Sequence, residues 1–293
     1  MKIGLIDVDG HNFPNLALMK LSAWHKGQGD DVEMVFPMGE YDRVYMSKVF
    51  DFTPDFTTCI NAGEIIKGGT GYDMSINLPA EVETMYPDYS LYGIADTAYG
   101  YLTRGCPRGC PFCIVAEKEG RKSHKVADLD GFWRGQKEIK LLDPNLLACR
   151  EHLDLLGQLA CSGAWVDFTQ GLDARLLTEL SVTLLNRIKV KEIHFAWDRE
   201  KDSERIIQGL RMYAKRCVRK PHGYYGSVYV LTNFVTDFEF DLFRVYKLRQ
   251  LGFNPYVMIY DKEHASKQIR RLQRWVNNKF IWRKCERFED YKG

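Results

Sequence analysis

Between residues 96 and 263 the sequence alternates short apolar runs with helical stretches, and this alternation limits the fold more than any other feature. The pattern predicts strands at 98–103, 138–142, 165–169, 192–196, 227–231 and 255–259. Helices are expected between them, at about 126–137, 146–162, 176–188, 203–216 and 237–251. A helix between two strands returns the chain to its starting end, so the strands run parallel. Six such units predict a parallel α/β sheet, either doubly wound or curled into a barrel.

The residues after these strands suggest where a ligand would lie. Asp143 follows the second strand, Gln170 and Asp173 the third, Asp198 the fourth, Asn233 the fifth and Asp261 the sixth. In parallel α/β folds, ligands sit at the carboxyl ends of the strands. A single polar residue there is often a helix N-cap, and Asp143 before Pro144 can be one. Five in succession along one rim are harder to explain by capping.

The first 95 residues differ in character. A strand at 2–8 leads into the polar turn Asp9-Gly10-His11-Asn12, and Pro14 opens a helix at 16–26 with Leu18, Leu21 and Trp24 on one face. Strands at 32–36 and 43–49 follow, then a short segment, 65–67, running into Gly68-Gly69. Strand, helix and strand within about thirty residues make a parallel α/β unit. Residues 70–95 have little periodicity and read as a linker or wrap. The expected domains are therefore 1–95, 96–263 and a helical extension at 264–293.

Eight cysteines are present, three of them in the run Arg104-Gly105-Cys106-Pro107-Arg108-Gly109-Cys110-Pro111-Phe112-Cys113. Cys59, Cys149, Cys161, Cys217 and Cys285 are scattered and are expected to be ordinary buried thiols, Cys149 and Cys161 within a helix. A tight cluster in a cytosolic chain points to metal. Two prolines and two glycines make the loop stiff and able to turn sharply. A structural zinc site needs four ligands, the fourth coming from afar (His124, Cys149 or Cys161), and no second C-x-x-C exists. A redox Cys110-x-x-Cys113 pair leaves Cys106 unexplained. Soft thiolates suit an iron–sulfur cluster, and three of them on four irons leave one iron open.

The C-x3-C-x2-C spacing, the aromatic Phe112 before the third cysteine and the position after the first strand of the alternating region resemble the radical S-adenosylmethionine superfamily. The resemblance covers about residues 96–263. It implies a partial (β/α)6 TIM-like barrel and a 4Fe–4S cluster on Cys106, Cys110 and Cys113. S-adenosylmethionine would chelate the open iron and be cleaved reductively to a 5′-deoxyadenosyl radical that abstracts hydrogen from a substrate. It further implies an electron donor such as a flavodoxin or ferredoxin. The adenine is expected near Phe112, and the other polar contacts at Asp143, Gln170 and Asp198, with Asp198 placed for the ribose. Arg175 is a candidate for the carboxylate and equally a surface arginine at a helix start. The superfamily's Gly-Gly-Glu after the second strand is absent; Leu142-Asp143-Pro144 stands there.

The N-terminal segment from His11 to Leu18, with Gly29 to Glu33 after it, resembles the cobalamin-binding domain that precedes the barrel in many of these enzymes. The likeness implies a small, truncated Rossmann-like domain. Its D-x-H-x-x-G motif is missing, because Asp7-Val8-Asp9 puts aspartate at the histidine position. A remnant domain that has lost cobalamin is expected, able to help cover the barrel mouth. Tyr99, Tyr101, Tyr260 and Cys217 can each relay a hydrogen atom, although a structural role is the plainer reading of each. The sequence names neither the substrate nor a catalytic residue.

Seven lysines and arginines and no acidic residue occur between Lys267 and Lys284. The preferred reading is a solvated helix face that packs Leu272, Trp275 and Val276 inward; a nucleic-acid surface is the sharper one. A net charge of +2 does not argue for nucleic acid by itself. The apolar run after Met1 is too short for a secretory segment, and nothing approaches the roughly 20 apolar residues of a membrane span. A soluble, cytoplasmic chain is expected, without a membrane partner. The competing functions are a cobalamin-dependent radical methyltransferase and a non-catalytic iron–sulfur or zinc protein that binds nucleic acid.

Overall fold

The computed structural model describes residues 1–10, 13–220 and 223–292. His11 and Asn12, the end of the expected polar turn, lie outside the described residues. The chain divides into two units, Met1–Gly100 with Leu129–Lys137, and Tyr101–Asp128 with Glu138–Gly293. No described helix is long and apolar enough to cross a membrane.

The first unit contains β1 (Lys2–Asp7), α1 (Leu16–Gly27), β2 (Asp31–Met34), β3 (Glu40–Ser47), β4 (Asn61–Gly68), α2 (Ala80–Glu83) and β5 (Thr97–Gly100). Strands β1 to β4 form a parallel sheet in the order β2-β1-β3-β4. Asn15 caps α1 by accepting from the Leu18 amide. The helix buries Leu18 and Leu21 on Ile3 and Leu5, while Ile6, Tyr41, Val44 and Met46 form a separate cluster. The expected linker at 70–95 adds to the first of these cores, for Val82 is buried there with Leu78 and Leu91 packed against it.

The second unit holds β6 (Thr103–Arg104), α3 (Val115–Lys118), β7 (His124–Lys125), β8 (Glu138–Leu141), α4 (His152–Ser162), β9 (Trp165–Phe168), α5 (Glu179–Arg187), β10 (Lys189–Ala196), α6 (Ser203–Arg216), β11 (Ser227–Thr232), α7 (Phe238–Gln250), β12 (Asn254–Ile259), α8 (Lys267–Asn277) and α9 (Lys279–Lys284). Each strand from β8 to β12 pairs parallel with the next. Side chains alternate across a strand, and here the alternation is sharp. Ile139, Leu141, Val166, Phe168, Ile193, Phe195, Val228, Val230 and Val257 are buried, while Asp167, His194 and Tyr229 between them are only partly so.

Three expectations change. The helix at 126–137 reduces to one 3-10 turn, Leu129–Gly131, and the segment from Leu129 joins the first unit. There the Phe132 carbonyl accepts from the Tyr89 hydroxyl at 2.7 Å, and Gly131 and Gly135 give the segment little helical preference. The helix at 146–162 is interrupted, because Cys149 is extended after the 3-10 turn Leu146–Ala148. Finally, only Cys149 of the scattered cysteines is buried; Cys59 and Cys161 are exposed, and Cys217 and Cys285 are intermediate.

Candidate functional site

The expected strand at 98–103 gives way at Tyr101 and Leu102, and this break is where the cysteine loop begins. The Asp143 carboxylate accepts from the Leu102 amide at 3.2 Å and from the Thr103 amide and hydroxyl, both at 2.6 Å. These groups thus bond a side chain from the end of β8 rather than a neighbouring strand. Asp143 is fully buried, and burial pushes its pKa up to about 6 against the pull of those three donors. Its place at the rim is as expected, but its oxygens brace the start of the loop.

From there β6 pairs antiparallel with β7 and closes the loop between them. Gly105 turns the chain at φ 81°, where a Cβ would stand 2.3 Å from the Lys122 carbonyl oxygen, so only glycine fits. Its amide donates to Glu119 at 3.0 Å, and Glu119 also accepts from Arg104 at 2.7 Å. The Cys106 amide donates to the Gly120 carbonyl and the Cys113 amide to the Cys110 carbonyl. Cys106 is buried, Cys110 partly so, and Cys113 is exposed; none is in a disulfide. Burial pushes the Cys110 thiol up, opposed by Arg108 and Arg199.

The donor set can be tested against a cluster. Among the described residues no three His, Cys, Asp or Glu side chains gather as ligands of one ion would. Ligands of a four-iron cluster each take a different iron and so stand farther apart. Three unpaired soft thiols on one short, pinned loop fit such a group by their chemistry. The Asn145 amide donates toward Cys106 Sγ at 3.4 Å, and hydrogen bonds of that kind tune cluster thiolates.

A charged network lies beside the loop. Arg175 grips Asp173 with two bonds, at 2.9 and 2.7 Å, and donates to Asp202 at 3.0 Å. Arg199 also turns to Asp202, at 2.9 Å. Burial raises Asp173 and Asp202, but their arginine partners bring both below the usual carboxylate range. Arg108, inside the cysteine loop, is held differently. Its guanidinium stands 3.9 Å from Asp198 and 3.6 Å from Asp202, too far for good hydrogen bonds. Its side chain is only 11% exposed, and Nε and Nη2 have no hydrogen-bond partner among the described residues. Burial pushes Asp198 up, against Arg108 and Arg244.

Of the expected contacts, Asp198 and Arg175 therefore meet in this network, while Gln170 is exposed at the end of β9. Phe112 packs edge-on to Phe234 at 5.6 Å, and Phe234 meets Tyr260 at 4.6 Å, forming an aromatic wall across the loop and two strand ends. Sequence reading missed Arg108, Asn145, Asp202 and Phe234. Arg108 could have been found as the one cation between the cluster cysteines.

The sequence matches no protein-family model, and no curated protein is similar to it in sequence. Among solved structures, a radical S-adenosylmethionine methyltransferase, TsrM, from Kitasatospora setae, determined with cobalamin and a 4Fe–4S cluster bound, is similar in fold. The TM-score is 0.62 at 10% identity, over 88% of this chain and 74% of that one. At that identity the likeness is one of architecture: this chain shares the fold of a radical S-adenosylmethionine protein.

Proposed function

We propose that the chain is a radical S-adenosylmethionine enzyme, with a partial barrel in the second unit and a truncated Rossmann-like domain in the first. Cys106, Cys110 and Cys113 would hold the 4Fe–4S cluster. Held there and reduced by a protein such as a flavodoxin or ferredoxin, such a cluster would supply the electron for reductive cleavage of S-adenosylmethionine to a 5′-deoxyadenosyl radical.

The observation that carries this reading is Arg108. A buried guanidinium with two unmet donors, set on the cysteine loop itself, calls for an anion. The S-adenosylmethionine carboxylate is an anion that has to lie beside such a cluster. Arg175 has its guanidinium committed to Asp173 and Asp202, so Arg108 takes the carboxylate and Arg175 holds the acids in place. Asp198 can accept from ribose hydroxyls, and the Phe112–Phe234 wall offers the adenine a stacking surface.

Cobalamin has weaker support. Asp9, at the position of the cobalamin-ligating histidine, accepts from the Val49 amide at 2.6 Å and the Thr53 hydroxyl at 2.7 Å, which makes it a brace for the segment 49–53. The deciding experiment is anaerobic reconstitution with iron and sulfide, reduction, and assay for 5′-deoxyadenosine. Product that is lost on changing any of the three cysteines to alanine is expected. Zinc in place of iron would overturn the reading, and corrinoid absorbance in the purified protein would restore the methyltransferase alternative.

A further inference from the structure

On β8 to β12 one sheet face is apolar and buried; the opposite face is not what solvent alone would select. Asp167 on β9 and His194 on β10 point to that face, with the Asp167 carboxylate 3.9 Å from the ring nitrogen Nε2 of His194. The two side chains are 14% and 17% exposed. Asp167 Oδ1 and His194 Nδ1 are buried and have no hydrogen-bond partner among the described residues. A buried polar atom left unpaired is costly, and more so when charged, so two on neighbouring strands require an explanation.

The aromatic surroundings indicate what is missing. The His194 ring stacks on Tyr229 of β11, with centroids 5.1 Å apart and planes 9° from parallel. Tyr229 meets Tyr256 of β12 edge-on at 5.9 Å, and Tyr256 is 46% exposed. Glu192 is the cross-strand partner of Asp167 on one side and Lys140 on the other. The face therefore combines an aromatic run with Lys140 and the carboxylates of Glu138, Asp167 and Glu192; Glu138 is paired with Lys191 at 2.6 Å, whereas Asp167 has an open oxygen. A ligand that completes it brings a donor to Asp167 and a planar group to the rings.

Resting on the radical reading above, we infer that this face binds the substrate, and that the substrate is a planar aromatic or heteroaromatic molecule carrying a protonated nitrogen. The nitrogen donates to Asp167, and the ring lies along His194, Tyr229 and Tyr256.

Three probes separate the parts of the inference: phenethylamine has ring and ammonium, 3-phenylpropionate has ring and carboxylate, and n-hexylamine has ammonium without a ring. Each would be titrated into the reconstituted full chain and followed by saturation-transfer NMR. Phenethylamine is expected to bind at least tenfold more tightly than the other two and to lose at least tenfold in Asp167→Asn. Should Asp167→Asn fail to fold, Tyr256→Ala, at a half-exposed position, is expected to weaken phenethylamine while sparing n-hexylamine. Equal binding of the three probes, no binding of any, or phenethylamine binding indifferent to whichever variant folds would overturn the inference. 5′-Deoxyadenosine would be assayed in the same wild-type sample. Product without Asp167-dependent binding removes the substrate site and leaves the radical reading, and Asp167-dependent binding without product does the reverse.

Discussion

Arg108 and Asp143 show how differently two buried charges at one rim can behave. Arg108 has donors to spare, so Arg108→Gln is expected to raise the KM for S-adenosylmethionine at least tenfold while leaving the cluster's visible absorbance intact; an unchanged KM would remove Arg108 from the carboxylate site. Asp143 has all its partners and still titrates near 6 because it is buried. Its native pKa lies above its ordinary 3.8, so protonation favours the folded state. That contribution is full below about pH 3.8 and is lost as pH rises through about 6. A shift of about two units corresponds to about 3 kcal/mol. The stability of wild type relative to Asp143→Asn should therefore fall by about that amount between pH 3.5 and 7 in urea melts. A flat difference would mean that Asp143 stays ionised when folded. Sequence shows why these residues were read unequally. Cysteine spacing is a local pattern and was legible, as were the strand-end acids Asp143 and Asp198. The committed guanidinium of Arg175 and the open one of Arg108 differ only through Asp173, Asp198 and Asp202, and distances between them arise only on folding.

At the scale of elements, close packing sets the shape of the rim. Gly209 in α6 lies so near the 3-10 turn Ala174–Leu176 that a Cβ would stand 1.9 Å from the Ala174 carbonyl oxygen. Alanine is the better helix former by about 1 kcal/mol, but a backbone overlap of that depth has to move α6 or the turn, and overpacking costs about 1–3 kcal/mol. Gly209→Ala is therefore expected to lower the melting temperature, and, since Ala174 lies between Asp173 and Arg175, to loosen their pairing. A higher melting temperature would show that the turn yields freely. Strands β8 to β12 and helices α5 to α7 were legible to within a few residues because each carries one buried face. The stretch 126–137 was not. Its Leu129, Phe132 and Trp133 mimic helical spacing, but the segment is fixed by the Tyr89 hydroxyl, more than forty residues away in sequence. β4 was seen only as the fragment 65–67, because along Asn61–Gly68 no side chain is buried and no apolar alternation marks it.

For the molecule as a whole, the basic C-terminal stretch tests whether charge or packing governs a segment. Leu272, Trp275, Val276, Trp282 and Phe288 are buried in one cluster with Val245 of α7 and Val257 of β12. Burying a large apolar side chain contributes about 1.5–3 kcal/mol, so five contribute on the order of 10 kcal/mol, as much as a domain's whole net stability. The helix also closes the outer strand. Asn277 accepts from the Val257 amide and donates to the Val257 carbonyl, both at 2.9 Å, filling the places a further strand would take on β12. By contrast, Lys267, Arg274 and Arg283 are exposed. Removing residues 264–293 is therefore expected to unfold or aggregate the second unit, seen as loss of the soluble species in size-exclusion chromatography. Reversing Lys267, Arg274 and Arg283 to Glu should change the melting temperature by less than about 2 °C, because exposed charges contribute little to stability. If the truncated chain stays soluble and folded, the stretch is an appendage whose charge is its purpose. If it collapses while the charge-reversed chain stands, the stretch is part of the fold, and the reversed chain becomes the folded control for asking whether the basic face meets nucleic acid.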